Sequence, residues 1–69
     1  MRTIRIRLNG QNHTVREGLT VLELLESLNL KPERVAVELD RQILRRPEFP
    51  SRKLEPDSQV EIVHFVGGG

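Results

Sequence analysis

The sequence predicts a single α+β domain, in which a mixed sheet of four to five strands carries one main helix packed across one face. Three observations predict it: an alternating pattern over residues 2–8, one amphipathic helical pattern after Thr20, and a second apolar run over residues 59–66. Two hairpin strands cannot cover an apolar face alone, so the helix must lie across the sheet. A chain of 69 residues fits one such domain.

The first two strands are predicted to form a hairpin. Residues 2–8 alternate between apolar and polar side chains, which is the pattern of a half-buried strand. Asn9-Gly10 tolerates φ > 0 at both positions and is the strongest short-range signal for a two-residue hairpin turn. Residues 13–15 then return as the second strand.

One short amphipathic helix follows the hairpin. Thr20 and Glu23 fit the capping-box pattern, in which each side chain accepts a hydrogen bond from the backbone N–H of the other residue. Asn29 is expected to end the helix in the left-handed conformation, and Pro32 disfavours its continuation. The predicted buried face consists of residues at i, i+3, i+4 and i+7, namely Val21, Leu24, Leu25 and Leu28.

The remaining strands complete a sheet around this helix. Residues 35–39 alternate as a third strand, and a turn at residues 40–42 leads to a brief Ile43-Leu44 segment. Prolines then predict a loop with at most one turn of helix, before the last strand at residues 59–66. A last strand beside the first runs parallel to it, with the helix as crossover. This arrangement is the β-grasp architecture.

Composition excludes several functional classes. The chain has eleven basic and ten acidic residues, so its net charge of +1 argues against a nucleic-acid partner. It has no cysteine, which rules out disulfides and thiolate metal sites. It also has no secretory signal pattern and no 18-residue apolar run, so we expect a soluble cytoplasmic protein without a membrane partner. With two Phe and neither Trp nor Tyr, the core is expected to be aliphatic.

No pattern indicates an enzyme with a catalytic site of its own. His13 and His64 are expected on different strands, with no cluster of carboxylates at ligand spacing, so no metal site is predicted. No glycine-rich phosphate loop precedes a helix, and we expect no bound cofactor. No G-x-S-x-G context surrounds any serine, whether Ser27, Ser51 or Ser58.

The chain ends in Gly67-Gly68-Gly69, directly after the last strand. Because glycine has no Cβ, such a segment can enter a cleft that is too narrow for other residues. We therefore divide the chain into a folded domain over residues 1–66 and a flexible tail over residues 67–69. The tail pattern alone is equally compatible with a frayed terminus.

The last strand predicts a docking surface beside this tail. If Val60 and Ile62 point into the core, the pleat turns Val63 and Phe65 outward. Exposed apolar side chains next to a tail that could enter a partner's cleft indicate contact with that partner protein. The alternative is that Phe65 folds over the edge of the sheet.

The segment from Val60 to Gly69 resembles the C-terminus of the sulfur carrier proteins of thiamine biosynthesis, a ubiquitin-like β-grasp family. The resemblance covers essentially the whole chain, and the terminal motif is its most specific part. The sequence departs from the family pattern at Asp40, at Arg45-Arg46-Pro47 and at Asp57-Ser58. We expect these differences to affect which partners the protein recognises, and not the tail. The supporting segments are Leu8-Asn9-Gly10, Thr20-Val21 with Leu24-Leu25, Val35-Ala36-Val37-Glu38, and Ile43 with Arg46, Glu48 and Phe49.

The resemblance implies a carrier that is a co-substrate of other enzymes. A ubiquitin-activating-like enzyme would use ATP to adenylate the Gly69 carboxylate, and a sulfur donor protein would convert it to a thiocarboxylate. A thiazole synthase would then receive the sulfur. Gly67 and Gly68 would give the tail access to the activating enzyme, and Val63 with Phe65 would dock the partners. The alternatives are the small subunit of molybdopterin synthase, which also ends in Gly-Gly, and a ubiquitin-like module that binds or modifies proteins.

Overall fold

The computed structural model describes residues 2–65 and contains one mixed sheet with a single α-helix against one face. The strand order is β2-β1-β5-β3-β4, with β5 parallel to β1 and the other neighbours antiparallel. The predicted β-grasp arrangement is therefore confirmed. The elements are β1 Thr3–Leu8, β2 Gln11–Arg16, α1 Val21–Ser27, β3 Val35–Leu39, β4 Gln42–Ile43 and β5 Gln59–His64, with single 3₁₀ turns at Pro32–Arg34 and Arg46–Glu48.

The hairpin between β1 and β2 closes at the predicted turn. Asn9 and Gly10 have φ angles of 50° and 81°, and Leu8 lies opposite Gln11. Two consecutive positive φ angles give the twist that fits a tight antiparallel hairpin. Asparagine and glycine are therefore the appropriate residues at this turn.

The predicted capping box begins helix α1. Thr20 Oγ1 accepts from the Glu23 N–H at 3.1 Å, and Glu23 Oε1 accepts from the Thr20 N–H at 2.9 Å. The backbone hydrogen bond from Thr20 is the main reason why the pKa of the Glu23 carboxyl lies below its ordinary value of 4.5. The helix ends after Ser27, and Asn29 adopts the expected left-handed conformation with φ 58°.

The proline-rich segment after β4 lies against the start of α1. The Val21 N–H donates to the Arg52 carbonyl at 2.9 Å, and the Leu22 N–H donates to the Phe49 carbonyl at 3.0 Å. These are amides of the first helical turn, which have no acceptor within the helix. The segment therefore satisfies the helix N-terminus from outside.

The core lies between α1 and one face of the sheet. The expectation of a wholly aliphatic core is wrong, because Phe49 is buried. The 3₁₀ turn at Arg46–Glu48, which fits the prediction of a loop with at most one turn of helix, directs the ring inward and supplies the aromatic core residue. The buried apolar residues are Ile4, Ile6, Val15, Val21, Leu24, Leu25, Val35, Val37, Leu39, Leu44, Phe49, Leu54 and Val60.

The one α-helix described between residues 2 and 65 has seven residues, and no helix in that range is long and apolar enough to span a membrane. The proposed boundary between a domain over residues 1–66 and a tail over residues 67–69 falls at the end of the described range. Residues 66–69 lie outside the described residues, so the boundary stays a prediction.

Candidate functional site

Strand β5 presents two apolar side chains to solvent at its C-terminal end. Val60 is fully buried and Ile62 half-buried on the face that packs against α1. The alternate residues Val63 and Phe65 are 60% and 52% exposed. The predicted outward orientation of Val63 and Phe65 is confirmed, whereas their role in docking stays a prediction.

Ile43 enlarges this exposed surface, and the sequence analysis did not place it there. Its side chain is 77% exposed, and it lies opposite Glu38 in the β3–β4 pair. Ala36, also on β3, lies opposite Val63 on β5. Together Ala36, Ile43, Val63 and Phe65 form what we call the outer patch, on the sheet face away from α1. The signal for Ile43 was available, because a two-residue turn after Leu39 puts residues 38 and 43 on the same face.

A shallow groove crosses the outer patch. It encloses about 230 Å³ and is mostly apolar, with two carboxylates at its border. A groove of this size is below the usual range for a drug-sized ligand, and it lies open on a sheet surface. It therefore fits side chains of another protein better than a cofactor. Its lining residues are Ala36, Val37, Glu38, Ile43, Glu61 and Val63.

The backbone of β5 is held on both of its edges. On one edge β5 pairs with β3, and this pairing continues to the Phe65 N–H, which donates to the Arg34 carbonyl at 2.8 Å. On the other edge, β1 ends at Leu8 and cannot follow β5 further. The side chain of Asn9 continues that edge in place of a strand.

Asn9 forms hydrogen bonds to β5 with both its backbone and its side chain. Its N–H donates to the Val60 carbonyl at 2.8 Å. Its Oδ1 accepts from the Ile62 N–H at 2.7 Å, and its Nδ2 donates to the Ile62 carbonyl at 3.3 Å. The amide thus imitates a peptide group of a neighbouring strand. Sequence analysis identified Asn9 only as a turn residue and missed this second role.

Two departures from the resembled family pattern keep their local structural roles. Asp40 has φ 49°, and its Oδ1 accepts from the Gln59 N–H at 2.9 Å. Asp57 has φ 66°, which aspartate tolerates better than most residues. The Asp40 contact ties the β3–β4 turn to the start of β5. The Asp57 N–H donates to the Arg5 carbonyl at 2.8 Å and so ties the loop before β5 to β1. The departures therefore leave the position of β5 intact.

The predicted tail residues Gly67, Gly68 and Gly69 lie outside the described residues, and their assigned roles stay predictions. Of the two histidines, His13 is half-buried beside β1 and His64 is exposed on β5. Residues 2–65 contain no group of three His, Asp or Glu side chains that could hold a metal ion. Strand β5 and the outer patch are therefore the candidate site.

Comparison with known proteins identifies the family. The model of the ThiS family matches residues 6–69, which is nearly the whole chain and includes the terminal glycines. The chain belongs to the ThiS family. The sulfur carrier protein ThiS of Bacillus subtilis is 34% identical over 65 residues, covering 93% of this chain and 98% of that protein.

A solved structure supports the ThiS assignment, and the chain is also similar to part of a longer protein with a different name. The crystal structure of a thiamine biosynthesis protein (ThiS) from Geobacter metallireducens matches with a TM-score of 0.81 and 36% identity, covering 96% of this chain and 100% of that one. A thiazole synthase of Magnetococcus marinus is 41% identical over 66 residues, covering 96% of this chain. The chain spans only 20% of that relative's length.

Proposed function

We propose that this ThiS-family chain is a sulfur carrier of thiamine biosynthesis, whose Gly69 carboxylate is converted to a thiocarboxylate. The observation that carries the proposal is the family match over residues 6–69, which extends through the three glycines. The Bacillus subtilis and Thermus thermophilus relatives of similar length both have the name sulfur carrier protein ThiS. The exposed apolar side chains at the end of β5 support it, because a carrier must dock where its terminus is used.

The chemistry takes two steps at the Gly69 carboxyl group: a carboxylate oxygen first bonds to the α-phosphorus of ATP, and the carboxyl carbon then accepts sulfur. An adenylating enzyme transfers AMP from ATP to the carboxylate, releasing pyrophosphate and giving a mixed anhydride with a good leaving group. A sulfur nucleophile at the oxidation level of hydrosulfide then attacks this carbon. The C–S bond forms, the C–O bond to AMP breaks, and AMP leaves with the electron pair. The terminal thiocarboxylate carries one sulfur in place of one oxygen.

The carrier acts as co-substrate, and its partners supply the catalysis. ATP is bound and used by the adenylating enzyme, and a sulfur donor protein provides the sulfur. Thiazole synthase is the proposed acceptor. In Magnetococcus marinus, a segment similar to this chain makes up a fifth of a protein named thiazole synthase, which supports this pairing. The proposal places the cycle in the cytoplasm, because the activating step consumes ATP.

The residues proposed to act have separate roles. Gly69 supplies the carboxylate, while Gly67 and Gly68 let the terminus enter a narrow channel, because neither has a Cβ. Val63 and Phe65 dock the partners. Ordering the tail on binding opposes affinity by about 1–2 kcal/mol per residue, and apolar contacts at the outer patch offset that loss.

Intact-mass spectrometry tests the proposal. The chain is incubated with ATP, hydrosulfide and the adenylating enzyme of its source organism, whose activity is checked by pyrophosphate exchange. We expect a gain of about 16 Da, from exchange of oxygen for sulfur at the C-terminus. Gly68→Val should abolish this gain while leaving the melting temperature unchanged, since a β-branched residue blocks the channel. An unchanged mass of the wild-type chain would refute the proposal.

The mass experiment separates a carrier from a protein modifier, and an assay of the acceptor enzyme separates the two kinds of carrier. A molybdopterin-type carrier would also gain about 16 Da, but its thiocarboxylate would be consumed by a molybdopterin synthase and not by thiazole synthase. A protein modifier would instead appear as a conjugate with the mass of the target added. The thiamine function is favoured because both relatives of similar length named above are ThiS proteins.

A further inference from the structure

Two glutamates face each other directly on the outer face of the sheet. Glu38 on β3 and Glu61 on β5 are cross-strand partners, and Ile43 lies on the far side of Glu38. The three residues therefore form one row across β5, β3 and β4. Like charges directly opposite each other destabilise a sheet. The free fold gains nothing from this pair.

No positive side chain within residues 2–65 pairs with either glutamate. The ion pairs in this part of the chain are Arg16 with Glu23 and Arg52 with Glu48, both elsewhere on the surface. The nearest arginine on the same face of β1 is Arg7, whose guanidinium donates to the Gly10 carbonyl at 2.8 Å and to Asn12 Oδ1 at 3.3 Å. It is thus directed toward the hairpin turn and away from the two glutamates.

The glutamate pair lies at the border of the apolar surface. Glu38 is half-buried between Ile43 and Glu61, and both carboxylates border the groove that Val63 lines. A solvated charge needs no such surroundings. Two acidic groups directly beside exposed apolar side chains are complementary to a cationic side chain that also makes apolar contacts.

The position of the row relative to the terminus limits which protein can cover it. Gly69 is the fourth residue after Phe65, so its carboxylate is at most about 14 Å from Phe65 along the chain. Any enzyme that reacts with that carboxylate must come equally close. Neighbouring strands are about 4.8 Å apart, so the row from Glu61 to Ile43 lies within the footprint of such an enzyme.

We infer that Glu38 and Glu61 together bind an arginine of the adenylating enzyme, with Ile43 and Val63 packing around its side chain. This inference rests on the proposed function for the identity of the partner. A guanidinium has five N–H donors in a planar fork, so one arginine can donate hydrogen bonds to both carboxylates. The ammonium group of a lysine is a compact point charge with three donors and matches two carboxylates less closely. The repulsion between the glutamates in the free chain is then relieved in the complex.

Charge-removing variants of the two glutamates distinguish a role in binding from a role in fold stability. Glu38→Gln and Glu61→Gln keep the shape of the side chain and remove the charge. Each should weaken binding to the adenylating enzyme at least tenfold, because an enclosed arginine loses one of its two carboxylates. Neither should lower the melting temperature, because each removes a like-charge contact. A purely structural role would instead lower the melting temperature and leave affinity unchanged.

Isothermal titration calorimetry with the full chain and the adenylating enzyme provides the measurement. Glu17→Gln is the matched control, since Glu17 is exposed after β2, at the opposite end of the sheet from the end of β5. Its affinity should equal that of the wild type. Glu61→Arg should abolish binding, and an Arg→Glu change at the matching enzyme position should restore it.

The outcomes separate this inference from the proposed function. If the wild-type chain gains about 16 Da but Glu38→Gln and Glu61→Gln bind within twofold of it, the arginine site is wrong and the carrier function stands. If charge removal weakens binding but the wild-type chain never gains mass, the site stands and the carrier function fails. If the wild-type chain does not bind the enzyme, both are refuted.

Discussion

Removal of the Asn9 side chain should destabilise the protein by loosening the end of β5. Asn9→Gly keeps a residue that accepts the positive φ of the turn, so the hairpin can still close. It removes the two side-chain hydrogen bonds to Ile62. The variant therefore tests the link between the turn and β5 separately from the turn itself.

The magnitude follows from the two bonds. An intramolecular hydrogen bond contributes about 0.5–1.5 kcal/mol net, and these are exposed, so we take about 1–2 kcal/mol for both. For a domain of this size, each kcal/mol lowers the melting temperature by about 4–8 °C. We therefore expect the melting temperature of Asn9→Gly to lie about 4–16 °C below that of a variant in which only the backbone effect of glycine is present.

Asn29→Gly provides that reference. Asn29 is also exposed and also left-handed, with φ 58°, and no hydrogen bond of its side chain is found within residues 2–65. In both variants, glycine removes the strain of a side chain at positive φ and raises the conformational entropy of the unfolded chain. These two backbone effects are therefore similar in Asn9→Gly and Asn29→Gly. Subtracting one from the other leaves the side-chain bonds of Asn9.

Two assays check the reasoning. Thermal unfolding followed by circular dichroism gives the difference between the variants, and amide hydrogen exchange locates it. The Ile62 amide, which donates to Asn9 Oδ1, should lose protection in Asn9→Gly. The Val63 amide should keep it, because the register places Val63 in a hydrogen-bonded pair with Ala36. Equal melting temperatures for Asn9→Gly and Asn29→Gly, with unchanged exchange at Ile62, would show that the side chain does not stabilise β5.

Two further predictions concern docking and pH. Phe65→Ala should weaken binding to the adenylating enzyme or to thiazole synthase about tenfold in calorimetry without lowering the melting temperature, because the ring is exposed in the free chain; unchanged affinity for both partners would exclude Phe65 from docking. The lowered pKa of Glu23 predicts a contribution to stability that is present above pH 4.5 and is lost as the pH falls through the lower folded value. The melting-temperature difference between the wild type and Glu23→Gln should therefore shrink below that pH, and a difference that stays constant down to about pH 3 would contradict the assignment.

Local signals in the sequence were sufficient for most of the fold. Asn9-Gly10 specifies a tight turn because both residues tolerate positive φ, and Thr20 with Glu23 specifies a helix start because each caps the other. Each signal lies within a few consecutive residues. The parallel pairing of β1 and β5 then followed from topology, since a helix connects the hairpin to the later strands.

The features that were missed depend on contacts between distant segments. The bond between Asn9 and Ile62 joins residues 53 positions apart, and it exists because β1 stops where β5 continues. Phe49 is buried because a 3₁₀ turn directs it under α1, and no period in the sequence marks that turn. The Glu38–Glu61 pair likewise becomes visible only once the register of β3 against β5 is known.

The candidate site combines a fixed strand with a surface that the core does not use. A chain of 69 residues has little apolar area to spare for stability, yet Ile43, Val63 and Phe65 all lie exposed on one face. Placing them in the core would stabilise the fold, so their position is better explained by contact with a partner. Asn9 on one edge and β3 on the other hold β5 up to Ile62 and Phe65, respectively. A partner that covers the outer patch therefore meets a pre-ordered strand, which lowers the ordering cost on binding.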